Sequence, residues 1–175
     1  MPEHPGFDLE RIDDRSVVRL RVRPHSADAV AEALQLPEAQ RWRGEDPAVY
    51  WLGPDQWLLT SDSQSPTVLI RMVDSKLSGQ LCAATDISSS NVCYAFKGPA
   101  ARTVLAMGCG IDLHKSAFTA GQCVRTRFAN VQLFIVCVKS DNFDLYADRS
   151  HDRYLNDWLM KSGEDPMTRD SKYYF

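Results

Sequence analysis

The apolar positions in the first half of the chain follow first a period of two and then a helical period. Val18, Leu20 and Val22 alternate with arginines, which places their side chains on one face of a strand. Between Ser26 and Pro37 the apolar residues instead recur every three to four positions, as on one face of a helix. The elements predicted in this half are a strand at 18–22, a helix capped by Ser26 that stops before Pro37, strands at 48–52 and 57–60 around a turn at 53–56, and a helix capped by Ser65 that extends to about Ser78. The predicted order is β-α-β-β-α.

The second half repeats this order with one additional strand. Alternation at 92–96 predicts a strand, and Gly98-Pro99 then opens a helix that is ended by Gly108 and Gly110. The other predicted elements are strands at 124–128, 131–138 and 143–146 and a last helix, capped by Ser150, with Tyr154, Leu155, Trp158 and Leu159 on its apolar face. Two successive βαββα-type units predict an α+β fold in which antiparallel sheets carry packed helices.

The same patterns divide the chain into an arm, a domain and a tail. Residues 1–14 are polar and residues 162–175 lack periodicity, so a single α+β domain is assigned to 15–161. The aromatic residues at 173–175 fit either a partner-docking segment or an unstructured tail.

Composition and charge exclude several classes of protein. The net charge of −3 gives no general attraction to phosphate backbones, so nucleic acid is not a predicted partner. The first residues lack the pattern of a secretion signal, and no run of about 18 apolar residues occurs, so we expect a cytoplasmic protein without a membrane span. The five cysteines lie far apart, which favours reduced, buried thiols over disulfides or a zinc site.

Three groups of residues are candidates for chemistry. Cys109, Asp112 and His114 lie close together, but in an extended segment Cys109 points away from the other two, whereas a metal needs convergent ligands. We therefore expect a structural role for them. The serine run 88–90 lacks the Gly-x-Ser-x-Gly turn of an activated serine, and a loop between two strands is expected there. The four tryptophans, Trp42, Trp51, Trp57 and Trp158, are candidate interface anchors. For Trp57 and Trp158, packing in the core is the default expectation.

The remaining polar residues give no self-sufficient site. The histidines at 4, 25 and 151 are not paired in sequence with a nucleophile, and the acidic pairs 13–14 and 164–165 are typical of solvated carboxylates. The glycine patterns that hold dinucleotides or triphosphates are missing, so a flavin or NAD bound wholly by this chain is not expected. We assign no catalytic residue and no metal ligand, and the cofactor-binding residues stay unassigned.

An ordered set of short motifs indicates a family. They are the helix start Gly98-Pro99-Ala100-Ala101, the segment Met107-Gly108-Cys109-Gly110-Ile111-Asp112-Leu113, Phe118, and Gly121-Gln122-Cys123-Val124-Arg125-Thr126, flanked by matches at 51–59 and 149–159. In this order they resemble the gamma subunit of heterotetrameric sarcosine oxidase. The resemblance covers roughly residues 48–160.

The resemblance implies a fold and a function. Its fold is similar to the folate-binding domain of the glycine-cleavage aminomethyltransferases. Its function is that of a non-catalytic subunit in a complex with alpha, beta and delta subunits, which would hold FAD, FMN, NAD and zinc. The complex would oxidise sarcosine to glycine, with hydrogen peroxide and either formaldehyde or methylenetetrahydrofolate as products and tetrahydrofolate as co-substrate.

Two alternatives are kept beside this interpretation. One is a stand-alone, folate-binding one-carbon transferase-like protein, although such enzymes carry further domains. The other is a binding module for an unknown ligand. At 86–90 the chain has no His or Arg near the serines, where members of the family are expected to carry one. Relatives act on other N-methyl amino acids, so the resemblance fixes the subunit role more firmly than the substrate.

Overall fold

The computed structural model describes residues 6–163, and these divide into two compact units. The N-terminal unit comprises residues 13–91, and the C-terminal unit comprises residues 6–12 and 92–163. The strands are β1 (Asp8–Ile12), β2 (Ser16–Val22), β3 (Trp42–Arg43), β4 (Ala48–Gly53), β5 (Gln56–Ser61), β6 (Cys82–Asp86), β7 (Asn91–Lys97), β8 (Cys123–Phe128), β9 (Val131–Lys139) and β10 (Asn142–Asp148). The α-helices are α1 (Ala27–Leu34), α2 (Pro66–Lys76), α3 (Ala101–Gly108) and α4 (Asp152–Gly163).

The N-terminal unit is a five-stranded antiparallel sheet, in the order β3-β4-β5-β2-β6, with α1 and α2 packed on one face. Val18, Leu20 and Val22 lie in its core, as their alternation predicts. The hairpin between β4 and β5 is also confirmed, and Asp55 in its turn has a positive φ of 57°. The core side chains are Val18, Leu20, Val22, Val30, Trp57, Leu59, Leu69, Val73 and Leu77.

The C-terminal unit has a sheet in the order β1-β7-β10-β9-β8, and α3 and α4 pack against it. The predicted strands of the second half are all present, and Ala129 turns between β8 and β9 with a positive φ of 48°. The core of this unit includes Phe96, Leu105, Leu145 and Leu159. The α+β class with antiparallel strand pairing is thus confirmed in both units.

Strand β1 is an element that the sequence analysis did not predict. It lies within the 1–14 arm and pairs antiparallel with β7 at the edge of the sheet. Only Leu9 of this strand packs against the core, so the strand has no clear alternation to read. An edge strand is held by backbone hydrogen bonds to a single neighbour, and such bonds leave little trace in a sequence. The division at 1–14, 15–161 and 162–175 stays a prediction, and most of the tail lies outside the described residues.

The predicted helix caps differ from the structure. Ser26 and Ser65 precede α1 and α2 without a capping side-chain hydrogen bond. Ser150 does not cap α4 but lies in a short 3-10 turn before it, where its backbone N–H donates to the Asp148 carboxylate at 2.9 Å. The predicted end of α3 at Gly108 is correct. None of the helices in the part of the chain that is described has the length and apolarity needed to cross a membrane.

Candidate functional site: a buried arginine behind the motif segment

The family motifs of the second half form what we call the motif segment, residues 98–127, and its centre is a buried arginine. Arg102 lies in the first turn of α3 and is only 2% exposed, which makes it the largest fully buried side chain described. Its burial was not predicted from the sequence, because arginine in a short helix is mostly found at the surface. A signal was available: Arg102 and the core residue Leu105 are three positions apart and share a helix face.

The Arg102 guanidinium donates to acceptors on the loop after α3, on strand β9 and on the turn after β9. Nη1 donates to the carbonyl oxygens of Leu113 at 2.6 Å and Phe118 at 3.0 Å, both in the loop after α3. Nη2 donates to the Ser140 carbonyl oxygen and to Cys137 Sγ at 3.8 Å. A guanidinium has five N–H donors, and the fifth, on Nε, is also used.

That fifth donor makes an ion pair. Nε donates to Asp141 Oδ1 at 3.1 Å, and the other carboxylate oxygen of Asp141 is 3.2 Å from Lys115 Nζ. The guanidinium also lies 5.0 Å from the centre of the Phe143 ring, a cation–π distance. The charge is therefore paired and fully hydrogen-bonded, which offsets the cost of burying it. No donor is left for a ligand, so Arg102 holds the loops together and is not a binding group.

Two glycines of the motif segment are required by close packing. Gly98 has a φ of +131°, and a Cβ there would lie 2.7 Å from the Gly6 carbonyl oxygen. A Cβ on Gly108 would lie 2.4 Å from the ring of Phe128. That ring packs edge-to-face against Trp158, with 4.5 Å between the two ring centres. By contrast, nothing lies within 4 Å of a Cβ built on Gly110. Close packing therefore explains why Gly98 and Gly108 of the motif segment are glycines.

The candidate cluster Cys109, Asp112 and His114 does not converge. The Cys109 thiol donates to the Leu105 carbonyl oxygen at 3.2 Å, and burial raises the pKa of that thiol above its ordinary value. Asp112 accepts the backbone N–H of His114 at 2.8 Å, which forms a local turn. Within residues 6–163, no three His, Cys, Asp or Glu side chains are grouped so that they could hold a metal ion.

His114 and Ser116 form a hydrogen-bonded pair in the loop after α3. His114 Nδ1 lies 2.7 Å from Ser116 Oγ and also accepts the Ser116 backbone N–H at 3.2 Å. In a triad the carboxylate holds the second nitrogen of the imidazole. Here Asp112 instead holds the backbone of His114, and all three side chains are exposed. The arrangement is a hydrogen-bonded loop and not an activated serine.

The serine run connects two strands, as expected. Residues 88–90 form a short 3-10 turn between β6 and β7. Ser88 Oγ donates to Asp86 Oδ1 at 2.6 Å and accepts the backbone N–H of Val17 at 2.8 Å. Both interactions hold the start of β2 beside the end of β6, and neither of them activates the Ser88 hydroxyl.

Two other cysteines have thiols whose pKa is raised by their surroundings. Burial raises the pKa of Cys82 and of Cys137 above the ordinary thiol value. Because the thiolate is the nucleophile, a raised pKa makes attack at neutral pH less effective.

A shallow cleft on the C-terminal unit holds a second polar group that the sequence did not indicate. Asp152, the first residue of α4, accepts the Arg11 guanidinium at 2.7 Å on Oδ2 and the Tyr94 hydroxyl on Oδ1. A carboxylate in this position also interacts favourably with the helix dipole. Both oxygens of Asp152 are therefore engaged within the protein, and the group ties β1 and β7 to α4.

The remaining candidates lie in ordinary structural positions. His25 and His151 are in the 3-10 turns that precede α1 and α4, and Asp13 and Asp14 are exposed between β1 and β2. His4 and the 164–165 pair lie outside the described residues. Trp57 is in the core of the N-terminal unit, where its Nε1 donates to the Pro37 carbonyl oxygen at 3.2 Å. The other three are partly buried, Trp158 against the core of the C-terminal unit, Trp51 against that of the N-terminal unit, and Trp42 beside Tyr50.

Comparison with solved structures shows the fold. The heterotetrameric sarcosine oxidase from Corynebacterium sp. U-96, in complex with pyrrole 2-carboxylate, contains a chain that superposes with a TM-score of 0.79 at 24% identity, over 90% of this chain and 83% of that one. The glycine cleavage system aminomethyltransferase T from Bartonella henselae superposes with a TM-score of 0.65 at 14% identity, over 91% of this chain and 46% of that one. The expected likeness to the aminomethyltransferase fold is confirmed.

Sequence comparison identifies the family. The sarcosine oxidase subunit gamma of Corynebacterium sp. (strain U-96) is 28% identical over 139 residues, which are 78% of this chain and 67% of that protein. The corresponding subunit of Arthrobacter sp. is 32% identical over 114 residues, 63% of this chain and 55% of that protein. The family model described as the sarcosine oxidase, gamma subunit family matches residues 22–165. This match covers most of the chain, and the chain therefore belongs to the sarcosine oxidase gamma subunit family.

Proposed function

We propose that this chain is the gamma subunit of a heterotetrameric, flavin-dependent sarcosine oxidase, and that it contributes no catalytic residue of its own. The observation that carries the subunit role is the family match over residues 22–165. The chain spans 67% and 55% of two of the gamma subunits to which it is similar, so the activity of the whole complex is part of the proposal.

The chemistry of the motif segment supports a non-catalytic role. The five guanidinium donors of Arg102 are satisfied by acceptors within the chain. In the pair of Ser116 with His114, both side chains are exposed to solvent, and Asp112 accepts the backbone N–H of His114. The motif segment thus holds a fold together, and catalysis would belong to other chains.

The proposed complex places the reacting groups in partner subunits. Alpha, beta and delta subunits would hold FAD, FMN, NAD and zinc, in the cytoplasm and without nucleic acid. The complex would oxidise the N-methyl group of sarcosine and reduce oxygen to hydrogen peroxide. The one-carbon unit would leave as formaldehyde after addition of water, or pass to tetrahydrofolate, and glycine would be released.

Affinity purification tests this proposal. The tagged full chain would be isolated from its native host, the co-purifying proteins identified by mass spectrometry, and the visible spectrum of the sample recorded. We expect a yellow sample that contains a large partner chain with dinucleotide-binding motifs. A colourless sample of this chain alone would contradict the proposal.

A second candidate function is a stand-alone folate-binding protein of the one-carbon transferase type. The superposition on aminomethyltransferase T favours it, but this chain covers only 46% of that protein. Calorimetric titration of the full chain with tetrahydrofolate distinguishes the two. Heat that saturates at micromolar concentration supports the folate-binding protein, and no heat supports the subunit role.

A further inference from the structure

The N-terminal unit contains a cavity that the packing of its core does not fill. The cavity has a volume of about 150 Å³. It lies among the C-terminal ends of α1 and α2, the segment between β3 and β4, and the sheet. Its lining residues are Leu34, Leu36, Arg43, Gly44, Pro47, Val49, Leu59, Met72 and Lys76.

The inner wall of the cavity is apolar. Leu59 of β5 is 1% exposed and belongs to the core of the unit. Leu36, Val49 and Met72 are partly buried and pack against that core. Wall atoms of this kind offer a ligand only hydrophobic contact, so the ligand must bring an apolar body.

One of the two polar side chains that line the cavity, Arg43, is already fixed in place. Its Nη1 donates to the Gln35 carbonyl oxygen at 2.6 Å, and its Nη2 donates to Gln35 Oε1 at 3.0 Å. Gln35 follows the last turn of α1 in a left-handed conformation, with a φ of 51°. These two bonds use uncharged acceptors, so the positive charge of Arg43 is not neutralised by them. They also hold the guanidinium before a ligand arrives, which lowers the entropy cost of binding.

The second cation, Lys76, comes one turn after Met72 on the same face of α2. It has no hydrogen-bond or ion-pair partner among the residues that the structure describes. Asp74, the one acidic residue of α2, lies two positions away and does not share the helix face of Met72 and Lys76. No carboxylate lines the cavity, so both charges that line it are positive.

The rim is shaped by a glycine that cannot be replaced without movement. Gly44 has a φ of +82°, and a Cβ at this position would lie 2.6 Å from the Pro47 carbonyl oxygen. A side chain here would strain the backbone beside Arg43. The sequence therefore keeps this edge of the cavity free of side-chain atoms.

We propose that this cavity is a binding site for a small monocarboxylate with an apolar body, of about the size of benzoate. The carboxylate would lie between Arg43 and Lys76, and the apolar part would contact Val49, Leu59 and Met72. The positive charges and the lack of a lining carboxylate select an anion, and the apolar wall selects against sugars and polyphosphates. The site is separate from the proposed subunit role, and nothing in that role requires it.

Methionine methyl groups report directly on this site. The full chain would be labelled with ¹³C-methyl methionine and titrated with benzoate, and the methyl resonances followed by NMR. We expect the Met72 resonance to move and to saturate with a Kd of about 1 mM, which is ordinary for so small a ligand. Met107 and Met160, which are exposed on the C-terminal unit, are internal controls that should not move.

Two further titrations test the ligand charge and the role of Lys76. Benzyl alcohol, a neutral compound of the same size, lacks the charge that pairs with Arg43 and Lys76 and should bind about 25-fold more weakly. Lys76→Met removes one exposed ion pair and should weaken benzoate binding about fivefold. The matched control Lys161→Met, at an exposed position on α4, should bind benzoate like the parent chain. An unmoved Met72 resonance, or equal binding of benzoate and benzyl alcohol, would overturn the proposal. Equal benzoate affinity of Lys76→Met and the parent chain would overturn it as well.

Discussion

Both units pack two helices on a five-stranded sheet, but they differ in what occupies the space between helix and sheet. In the C-terminal unit that space holds the guanidinium of Arg102, which binds the loops on either side of it. In the N-terminal unit a cluster of hydrophobic side chains fills that space, and a cavity is left at its margin. The motif segment lies in the unit where a buried side chain holds the loops.

The difference follows from how the two units connect their elements. In the N-terminal unit the strands β4 and β5 are joined by a tight turn. The backbone hydrogen bonds between these two strands therefore order most of the residues from 48 to 61. In the C-terminal unit the segment 109–122, between α3 and β8, contains no regular helix or strand. Its carbonyl oxygens at Leu113 and Phe118 need buried donors, and Arg102 supplies them. The buried guanidinium thus supplies hydrogen bonds that regular secondary structure would otherwise give to these carbonyl groups.

Removal of the Arg102 guanidinium should strongly destabilise the C-terminal unit. Arg102→Met should lower the free energy of unfolding by about 4 kcal/mol, because several buried acceptors lose their donors at once. Urea denaturation of the full chain, followed by circular dichroism, measures the loss. Arg153→Met is the control, because the Arg153 side chain is 95% exposed and its change should cost less than about 0.5 kcal/mol.

The conservative change at the same position separates charge from geometry. Arg102→Lys keeps the charge but has three donors in place of five, so its stability should lie between those of the parent chain and Arg102→Met. If Arg102→Met were as stable as the parent chain, the loops would not depend on the guanidinium.

The core of the N-terminal unit should respond to lost apolar volume. Leu69 of α2 is fully buried, and Leu69→Ala should cost about 3 kcal/mol through lost contacts and a new cavity. Thermal or urea unfolding gives the value. Leu81→Ala removes the same atoms at a site that is 55% exposed, and an equal loss from both variants would contradict the assignment of the core.

The close packing of α3 can be tested with two neighbouring glycines. Gly108→Ala places a methyl group against the ring of Phe128 and should cost about 2 kcal/mol. Gly110→Ala meets open space and should be close to neutral. Near-ultraviolet circular dichroism, which follows the packing of Phe128 and Trp158, should change only in the first variant. A change of the same size in both would show that the close approach of Gly108 to Phe128 has no effect.

The smallest expected effect concerns the start of α4 and depends on pH. Hydrogen bonds from Ser150 hold the pKa of Asp148 below its ordinary value of 3.8. The stabilising contribution is therefore present above about pH 3.8 and is lost as the pH falls through the lowered pKa of the folded state. Asp148→Ala should be less stable than the parent chain at neutral pH, and the difference should shrink as acid is added.

Ser65, in the N-terminal unit, serves as the control for Asp148, because it also comes directly before a helical element. Ser65 precedes α2 without a capping hydrogen bond, so Ser65→Ala should leave stability unchanged at every pH. Thermal melting points between pH 2 and 7 compare the two variants. A pH-independent difference for Asp148→Ala would show that its carboxylate charge does not contribute.

The sequence predicted those parts of the fold that are recorded in local patterns. Alternation at 18–22 and at 92–96 predicted core strands correctly, and the turn residues at 53–56 predicted a hairpin. Strand β1 was missed because it is held mainly by its backbone pairing with β7. Arg102 was missed because its burial depends on carbonyl groups that are distant in sequence. Long-range polar contacts of this kind have no periodicity to detect.

The proposed subunit role requires that the flavin and the oxidation of sarcosine belong to the partner chains. The most direct test records the visible spectrum and the sarcosine-dependent oxygen uptake of the native complex, before and after the other subunits are removed from the tagged chain. We expect flavin absorbance and oxygen uptake in the complex, and neither of them in the remaining chain. Stoichiometric flavin or sarcosine oxidation retained by this chain alone would contradict it.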